Sequence, residues 1–472
     1  MSQRTLKLIG IITIFILLTG VANASDWPMF RHDTKHTGMT AESVEPPLEL
    51  LWKYQTGDDI FSSPAVSGGI IYIGSDDGFV YALDTETGTL KWKYTTGCCY
   101  ERFGAAPTVY SGKVFIGSSF NYTLHALDAT TGKEIWRYKL GPLTPSSPCV
   151  SGGIIYVGTS TAVYAVNALT GEEKWVYNTG IDAASTEVSS SPAVSGGTVY
   201  IGGSTANYVY ALDAHTGAEK WKYQTGDDVF SSPTVSGSTV YIGSDDGYFY
   251  ALDANTGALK WRYRTHDAVK SSPAVSDGTV YVGSDDHYVY ALDAISGNVK
   301  WKYATNYIVR SSPAVSGDTV YIGSDDGYFY ALDASTGNLK WGKGIGQVLS
   351  SPAVSDGKVF IGSRDYNIYC FGEITPTPTP PSTPATLLTP TFTSTPISTP
   401  AFTPTPTPIS ALVDSDGDGV PDKYDYAPYD PNIQTERDII PEATPTPKPP
   451  GFDVILAISG LLAIAYLLRR RR

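Results

Sequence analysis

A repeated unit that ends in tryptophan runs along most of this chain, as in SSPAVSDGTVYVGSDDHYVYALDAISGNVKWKY at Ser271–Tyr303. Successive copies place their tryptophans 40, 44, 39, 46, 40, 40 and 40 residues apart. The tryptophans of the eight copies are Trp52, Trp92, Trp136, Trp175, Trp221, Trp261, Trp301 and Trp341. A period of this size indicates a stack or ring of similar units, each packed against its neighbours.

Each unit has the two-residue period of β-strands. In TVYIGSDDGYFYALDA, which begins at Thr239, aromatic and β-branched residues alternate with other types on both sides of Asp245–Gly247. Aspartate and glycine favour hairpin turns, so these three residues are predicted to join two strands. We interpret the repeated Asp-Asp-Gly turns as structural. The alternative is a ring of acidic turns that binds cations.

The two ends of the repeat region predict how a ring of units closes. The first tryptophan strand, LELLWKYQTG at Leu48–Gly57, precedes the first Ser-Ser-Pro, whereas the last unit, residues 350–374, ends without a tryptophan strand. The N-terminal strand is therefore expected to complete the last unit. Four short strands per unit is the size of a propeller blade. The sequence predicts an all-β fold, an eight-bladed propeller of four-stranded antiparallel blades over residues 48–374.

The end of each unit follows the pattern Ala-x-Asp-x-x-x-Gly-x-x-x-Trp. The pattern is intact at Ala82–Trp92, Ala126–Trp136, Ala211–Trp221, Ala251–Trp261, Ala291–Trp301 and Ala331–Trp341, and has Asn167 for Asp at Ala165–Trp175. It resembles the tryptophan-docking motif of the PQQ-like propeller repeat family, which includes quinoprotein dehydrogenases and the lipoprotein propeller of the bacterial outer-membrane barrel-assembly machine. The resemblance implies that each indole packs against the neighbouring blade. The split eighth copy departs from the pattern, with Cys370 in the Ala position and Trp52 supplied from the other end.

The segments before the repeats predict export. Residues 1–24 combine basic residues, an apolar run and an Ala-Asn-Ala ending, which is typical of a signal peptide cleaved after Ala24. Residues 25–47 form a lead-in whose opening, WPMFRHDTKHTGMT at Trp27–Thr40, resembles the segment that packs on the ring in PQQ-like repeat proteins.

Two proline-rich linkers follow the propeller, at residues 375–410 and 434–450. The first consists almost entirely of Thr, Pro, Ser and small apolar residues and is uncharged through Ile409, so we expect a disordered, extended stalk that suits O-glycosylation.

Between the linkers, residues 411–433 contain DSDGDGVPDKYD, which has the ligand spacing of a calcium loop. The predicted Ca²⁺ ligands are Asp414, Asp416, Asp418, the carbonyl oxygen of Val420, Asp422 and Asp425. The run also resembles the calcium repeats of thrombospondin type 3 domains. The alternative is a solvated acidic linker, and aspartate in place of glutamate at the twelfth position weakens closure of the loop.

The C-terminus, residues 451–472, predicts an anchor. An apolar run ends in four arginines, which favour the cytoplasmic side of a membrane. Pro450, Gly451 and Phe452 before it resemble the PGF-CTERM sorting signal of archaeal surface proteins. That resemblance implies that an archaeosortase removes the tail and leaves a lipid-anchored protein on the extracellular face. The alternative, an uncleaved membrane helix, gives the same topology.

The formal net charge is −14, which argues against nucleic acid as a partner because binding to nucleic acid depends on neutralising phosphates. Asn121, in the sequence Asn-Tyr-Thr, is a predicted glycosylation site in a hairpin turn.

Candidate ligand residues lie where one copy of the repeat differs from the others. Cys98 and Cys99 are adjacent in a long connector between two blades. In quinoprotein alcohol dehydrogenases a vicinal disulfide in such a connector covers PQQ, so the resemblance groups this pair with Arg102, Glu187 and Arg310. PQQ is nevertheless not expected, because every propeller tryptophan occupies a docking position and none is left to form the flat base under the quinone.

The residue before Ser-Ser-Pro also varies between copies: Phe61, Phe230, Lys270, Arg310 and Leu349. We expect these side chains to line the mouth of a central funnel, with aromatic residues on one side and cations on another. Lys270 and Arg310 would then meet a ligand or an acidic group of a partner. The alternative is ordinary packing or solvation of these side chains.

The sequence contains no motif that nominates a catalytic mechanism. Our hypothesis is a surface-anchored binding or scaffolding module with an envelope protein or glycan as its partner. A PQQ- and Ca²⁺-dependent quinoprotein oxidoreductase and a purely structural envelope component are the alternatives.

Overall fold

The computed structural model describes residues 26–97, 102–141, 146–179, 190–203 and 207–373. The regular elements in these ranges are 33 β-strands, arranged in eight sheets that we call blades 1 to 8 in chain order. None of the described residues belongs to a helix long and apolar enough to cross a membrane.

Two strands precede the blades, β1 (Met39–Thr40) and β2 (Leu48–Gln55). Blades 1 and 2 contain β3 (Ala65–Ser67), β4 (Ile70–Gly74), β5 (Val80–Asp84), β6 (Leu90–Tyr94), β7 (Thr108–Tyr110), β8 (Lys113–Ser118), β9 (Thr123–Asp128) and β10 (Glu134–Lys139). Blades 3 and 4 contain β11 (Cys149–Ser151), β12 (Ile154–Gly158), β13 (Ala162–Asn167), β14 (Glu173–Asn178), β15 (Ala193–Ser195), β16 (Thr198–Gly202), β17 (Tyr208–Asp213) and β18 (Glu219–Gln224). Blades 5 and 6 contain β19 (Thr234–Ser236), β20 (Thr239–Gly243), β21 (Tyr248–Asp253), β22 (Leu259–Arg264), β23 (Ala274–Ser276), β24 (Thr279–Gly283), β25 (Tyr288–Asp293) and β26 (Val299–Ala304). Blades 7 and 8 contain β27 (Ala314–Ser316), β28 (Thr319–Gly323), β29 (Tyr328–Asp333), β30 (Leu339–Gly344), β31 (Ala353–Ser355), β32 (Lys358–Gly362) and β33 (Asn367–Glu373).

The first strand of every blade contacts the first strands of the two adjacent blades, and blade 8 contacts blade 1, so the sheets form a closed ring. The outermost strand of blade 8 is the N-terminal strand β2, which pairs antiparallel with β33 and places Trp52 opposite Cys370. The predicted eight-bladed propeller and its closure by the N-terminal strand are confirmed.

The Ala-x-Asp-x-x-x-Gly-x-x-x-Trp pattern builds the turn between the last two strands of a blade and joins that blade to its neighbour. In blade 5, Asp253 Oδ1 accepts hydrogen bonds from the backbone of Asn255 and from the backbone and hydroxyl of Thr256, at 3.0–3.1 Å. Gly257 follows with a φ of +72°, a conformation that glycine adopts at little cost. A Cβ at this glycine would lie 2.7 Å from the indole of Trp221 in blade 4. The turn therefore stacks on the preceding blade.

The same contact recurs around the ring. A Cβ at the turn glycine would come within 2.6–2.8 Å of the preceding indole at Gly88, Gly132, Gly171, Gly217, Gly257, Gly297 and Gly337. Six indoles also donate a hydrogen bond to a backbone carbonyl of the next blade at 2.9–3.1 Å: Trp52, Trp92, Trp175, Trp221, Trp261 and Trp301. The other two differ. Trp136 buries its Nε1 without a partner, and Trp341 packs edge-to-face on Phe371, with ring centroids 5.3 Å apart.

The hydrophobic core is divided among the interfaces between blades. One buried cluster, for example, joins Tyr200 and Val209 of blade 4 to Val240 and Tyr250 of blade 5. The remaining cysteines among the described residues, Cys149 and Cys370, are buried free thiols in different blades.

Candidate functional site

A Ser-Ser-Pro triplet precedes the first strand of most blades and connects that blade to the next. In blade 6 the hydroxyl of Ser271 accepts the N–H of Gly283 at 3.0 Å and donates to the carbonyl of Ser311 in blade 7 at 2.9 Å. The N–H of Ser272 donates to the hydroxyl of Ser312 at 2.9 Å. The hydroxyl of the first serine therefore joins backbone groups of its own blade and the next blade. The second serine belongs to a chain of hydrogen bonds that passes from blade to blade.

The second serines of seven blades surround the propeller axis. Each hydroxyl accepts the N–H of the equivalent residue in the preceding blade, at distances of 2.8–3.2 Å. The circle is open at one point, because blade 2 has Ala106 at this position, which lacks a hydroxyl to accept the N–H of Ser63. We call the seven residues the serine ring: Ser63, Ser147, Ser191, Ser232, Ser272, Ser312 and Ser351.

The lead-in crosses the axis beside the valines that lie three residues after the second serine position of each inner strand. Six of these strands each donate a valine N–H to a carbonyl oxygen of the lead-in, at 2.5–2.9 Å. The donors are Val66, Val109, Val194, Val235, Val275 and Val315, and the acceptors, in the same order, are Trp27, Pro28, Thr34, Lys35, Thr37 and Gly38. Because these blades lie on all sides of the ring, the lead-in closes one end of the axial channel.

A buried arginine holds the lead-in in place. The guanidinium of Arg31, whose side chain is 2% exposed, donates to the carbonyl oxygens of Pro273, at 2.6 Å, and of Pro313. Burial lowers the pKa of Arg31 to about 9. The neighbouring His36 is also buried, and desolvation lowers its pKa to about 4, so this imidazole is neutral at physiological pH.

A cavity of about 450 Å³ occupies the axis on the other side of the lead-in. The serine ring forms its wall, and Phe30 projects into it from the lead-in as a floor. Arg102 lines the cavity too, and its side chain is 66% exposed, so the cavity opens to solvent at this rim.

All five residues predicted to line the funnel, namely Phe61, Phe230, Lys270, Arg310 and Leu349, lie in this cavity. The expectation that the aromatic residues share one side is wrong. Phe61 precedes blade 1 and Phe230 precedes blade 5, four positions apart in a ring of eight, so the two phenyl groups lie on opposite sides of the axis.

The two predicted cations are paired within the protein. Lys270 Nζ lies 3.4 Å from Asp245 Oδ2, and the Arg310 guanidinium binds both carboxylate oxygens of Asp285, at 2.8–3.1 Å. Each of these aspartates is the first Asp of the turn in the preceding blade. The bidentate pair of Arg310 and Asp285 is geometrically specific. It neutralises the positive charge with which Arg310 would otherwise attract an acidic ligand.

Neither of two other aspartates at the same turn position, Asp76 and Asp325, has a bidentate partner like that of Asp285. Asp76, whose side chain is 9% exposed, lines the cavity and lies 3.5 Å from the exposed Arg102. Asp325 faces the blade that has Leu349 instead of a cation, and its buried Oδ1 has no hydrogen-bond partner. Desolvation raises the pKa of Asp76 and that of Asp325 to about 6.

Sequence reasoning missed Phe30, Asp76 and the role of the second serines. The only signal for the serines was the recurrence of Ser-Ser-Pro, which does not show that the hydroxyl of one blade accepts the N–H of the preceding blade. Phe30 had no signal, because its position depends on how the lead-in crosses the ring.

Several predicted site residues lie outside the described ranges. They are Ala24, Cys98, Cys99, Glu187, the calcium-loop residues between Asp414 and Asp425, and the sorting-signal residues Pro450, Gly451 and Phe452. The same holds for the segments predicted as a signal peptide, two linkers and a C-terminal membrane helix. Asn121 lies in the turn between β8 and β9, and its glycosylation stays a prediction.

No cluster of three or more His, Cys, Asp or Glu side chains in the described part of the chain is arranged to hold a metal ion. The predicted cation-binding alternative for the Asp-Asp-Gly turns has no geometric support there. In blade 5 the second Asp of the turn, Asp246, instead accepts hydrogen bonds from the hydroxyl of Tyr250 at 2.5 Å and the N–H of Gly226 at 2.7 Å.

A protein-family model described as outer membrane protein assembly factor BamB matches residues 45–119, 96–229 and 205–379, which is more than half of the chain. The chain belongs to this family. In this BamB-type propeller a PGF-CTERM motif also matches residues 450–471. That motif indicates a C-terminally anchored surface protein.

Known relatives of this BamB-type propeller include enzymes. The chain is 30% identical over 189 residues to a quinohemoprotein alcohol dehydrogenase of Comamonas testosteroni, over 35% of this chain and 25% of that protein. The chain therefore spans only about a quarter of that enzyme. The solved structure of BamB from Moraxella catarrhalis has a TM-score of 0.59 at 21% identity and covers 69% of this chain and 100% of its own. The quinohemoprotein alcohol dehydrogenase structure from Comamonas testosteroni has a TM-score of 0.60 at 17% identity, covering 75% of this chain and 82% of its own. At these identities, both structures show the fold alone.

The residues around the cavity of this BamB-type propeller do not fit PQQ. All nine tryptophans lie in the described ranges, and none of them lines the cavity. The ring of Phe30 occupies the floor, and the cations of blades 6 and 7 are already paired with Asp245 and Asp285. A flat indole base is therefore missing from the described cavity, and the two cations of blades 6 and 7 are held by aspartates.

Proposed function

We propose that this protein is a non-catalytic binding module displayed on the extracellular face of the cell membrane, with its ligand in the axial cavity. The cavity carries this proposal. It is built from the inner strands around the ring, is closed beneath by Phe30, and is open at Arg102. Its volume of about 450 Å³ lies within the range of small-molecule sites.

The rest of the chain suits display at a distance from the membrane. The PGF-CTERM motif supports C-terminal anchoring. The Thr/Pro stalk at residues 375–410 would hold the propeller away from the surface, and Ca²⁺ bound at Asp414–Asp425 would stiffen the segment below it. The partner we propose is an envelope protein or an envelope glycan. The acidic net charge of −14 disfavours nucleic acid.

A quinoprotein oxidoreductase is the second candidate, because the segment that matches the Comamonas testosteroni enzyme is 30% identical. The poor fit of the cavity to PQQ weighs against it. A purely structural envelope component is the third, and it predicts no selective ligand.

The first experiment titrates the purified full-length protein with PQQ and Ca²⁺ and follows quenching of tryptophan fluorescence. The Cys98→Ser, Cys99→Ser double variant is the matched control. We expect no saturable quenching in either protein. Saturable binding at micromolar concentration that is lost in the double variant would overturn the proposal and favour the oxidoreductase.

A second measurement tests binding directly. Envelopes isolated from cells that lack the protein are incubated with increasing amounts of purified full-length protein. A binding module is expected to be retained to saturation and to be displaced by excess unlabelled protein. Retention that rises without saturation would contradict a selective binding function.

A further inference from the structure

We propose that the axial cavity binds one uncharged sugar ring, such as the terminal monosaccharide of a glycan. This inference rests on the proposed binding function and specifies the ligand class of the same site. It follows from the hydrogen-bond donors, the acceptors, the aromatic faces and the charge balance that the described residues present to the cavity.

The serine ring supplies the donors. Each of its hydroxyl oxygens already accepts a backbone N–H, while the structure gives none of the seven hydroxyl hydrogens an acceptor in the protein. These residues are only 3–8% exposed and line the cavity. A hydroxyl carries one donor as well as its acceptor lone pairs, and a buried donor needs a partner. The ring therefore favours a ligand rich in acceptor oxygens.

The donors are spread around the axis rather than directed at one point. They come from seven of eight positions in the ring, and successive hydroxyls are connected through a backbone N–H instead of contacting each other. A single ion cannot reach donors on opposite sides of such a circle. A ring-shaped molecule with hydroxyl groups along its edge can.

An acceptor and apolar surfaces complete the site. The carboxylate of Asp76 lines the cavity with its side chain 9% exposed, and it can accept hydrogen bonds from ligand hydroxyls. Phe61 and Phe230 lie across the axis from each other, and Phe30 lies beneath. Lys270 lies over the ring of Phe230 and Arg364 over that of Phe61, and the remaining phenyl surface is apolar and suits the C–H groups of a sugar ring.

The charge balance favours an uncharged ligand. Three cations of the described chain line the cavity: Lys270 and Arg310, which Asp245 and Asp285 offset, and Arg102 at the rim, which lies 3.5 Å from Asp76. Lys270 also lies 4.8 Å from the centroid of the Phe230 ring. An anionic ligand would have to displace these contacts, whereas a neutral sugar leaves them in place.

The test uses purified full-length protein and saturation-transfer NMR with isothermal titration calorimetry. The probes are the methyl glycosides of glucose, galactose, mannose and N-acetylglucosamine, with glucuronate as the anionic comparison. Disaccharides that end in the same sugars show whether the site binds a free monosaccharide or the terminal sugar of a glycan. We expect saturable binding of at least one neutral glycoside, with glucuronate at least tenfold weaker. Tighter binding of the disaccharide would identify a glycan end as the ligand, and tighter binding of the methyl glycoside would identify a free sugar.

Two substitutions in neighbouring serines locate the site. Ser272→Ala removes one cavity donor and is expected to weaken glycoside binding about five- to tenfold, the value of one hydrogen bond. Ser271→Ala removes an equally buried hydroxyl that does not line the cavity, so it should lower stability and leave affinity unchanged. Ala106 shows that the ring accommodates alanine. Phe230→Leu keeps the ring intact and should also weaken binding.

The inference is overturned if the folded protein binds none of the neutral glycosides, or binds glucuronate more tightly than all of them. Equal losses of affinity in Ser271→Ala and Ser272→Ala would overturn it too. Saturable retention on envelopes together with no sugar binding would leave the binding function standing and remove only the sugar. Binding of PQQ would remove both.

Discussion

The N–H of Ser351, in blade 8, donates a 2.9 Å hydrogen bond to the hydroxyl of Ser63, in blade 1, although 288 positions separate them in the chain. This bond joins the ends of the ring on the inside, while β2 joins them on the outside by pairing with β33. The propeller is therefore closed twice, once at the axis and once at the rim.

The gap in the serine ring at Ala106 predicts a substitution that stabilises the protein. Ala106→Ser would place a hydroxyl opposite the N–H of Ser63 and complete the circle. We expect the free energy of unfolding to rise by about 0.5–1.5 kcal/mol, the net value of one hydrogen bond. Urea denaturation followed by tryptophan fluorescence measures it. Ser232→Ala is the converse control and should lower stability, because the N–H of Ser191 then loses its 2.8 Å acceptor. A loss of stability in Ala106→Ser would contradict the role given to the ring.

The docking contact predicts a steric effect at the turn glycines. Gly257→Ala places a Cβ 2.7 Å from the Trp221 indole at a φ of +72°, whereas Gly237→Ala has nothing within 4 Å at a φ of +57°. The second substitution incurs only the left-handed backbone conformation, about 1–2 kcal/mol. We expect Gly257→Ala to cost about 1–3 kcal/mol more, from overpacking. Thermal unfolding of the two variants provides the comparison, and equal losses would show that the indole can move aside.

The carboxylate of Asp325, whose buried Oδ1 accepts no hydrogen bond, predicts a pH-dependent stability even though Arg310 and Arg364 partly offset its charge. Its folded pKa of about 6 lies above the ordinary value of 3.8. The folded state therefore holds the proton more tightly than the unfolded chain, so the group stabilises the fold below pH 3.8 and loses that contribution as the pH rises through 6. Asp325→Asn should raise the melting temperature at pH 7.5, with the gain disappearing near pH 4.

Asp285→Asn is the matched control for this prediction. Its carboxylate is the bidentate partner of Arg310, so the amide should lower the melting temperature at pH 7.5. Calorimetry at pH 4 and pH 7.5 distinguishes the two variants. If both variants raised the melting temperature at pH 7.5, or both lowered it, the difference in pairing between Asp325 and Asp285 would be wrong.

Arg31 predicts how strongly the lead-in is held. Arg31→Met removes the side-chain donor to the carbonyl oxygen of Pro313, whereas the carbonyl oxygen of Pro273 still accepts from the hydroxyl of Thr234 at 2.6 Å. We expect a loss of about 1–3 kcal/mol, the cost of one unsatisfied buried acceptor. Lys35→Met is the control, since its side chain is exposed and its backbone carbonyl still accepts from Val235. Protease sensitivity of the lead-in would rise in Arg31→Met only. A rise in both would indicate that the lead-in is held by its backbone contacts alone.

The sequence predicted those features of the fold that repeat. The Trp-to-Trp period, the turn glycines and the split eighth unit determine blade number, docking and closure, because each is a local pattern copied around the ring. The position of Phe61 relative to Phe230 was misjudged, although the blade count already places blades 1 and 5 opposite each other. Phe30 and the charge pairing of Arg310 with Asp285 could not be predicted, because both depend on contacts between elements far apart in the chain.

The lead-in has a further consequence for how this propeller can change over time. Its carbonyl oxygens meet the inner strands of blades 1, 2, 4, 5, 6 and 7 in the order in which the chain passes them. Among the described residues the inner strands of blades 3 and 8 make no such bond, so the lead-in does not need to reach every unit. Duplication of a unit is the simplest genetic event in a chain built from near-copies, and a ninth blade inserted between two contacted blades would move the valines that follow it out of register with these carbonyl oxygens. The lead-in thus ties the order of six blades to one short segment, which disfavours expansion of the array even where every new interface between neighbours would be sound.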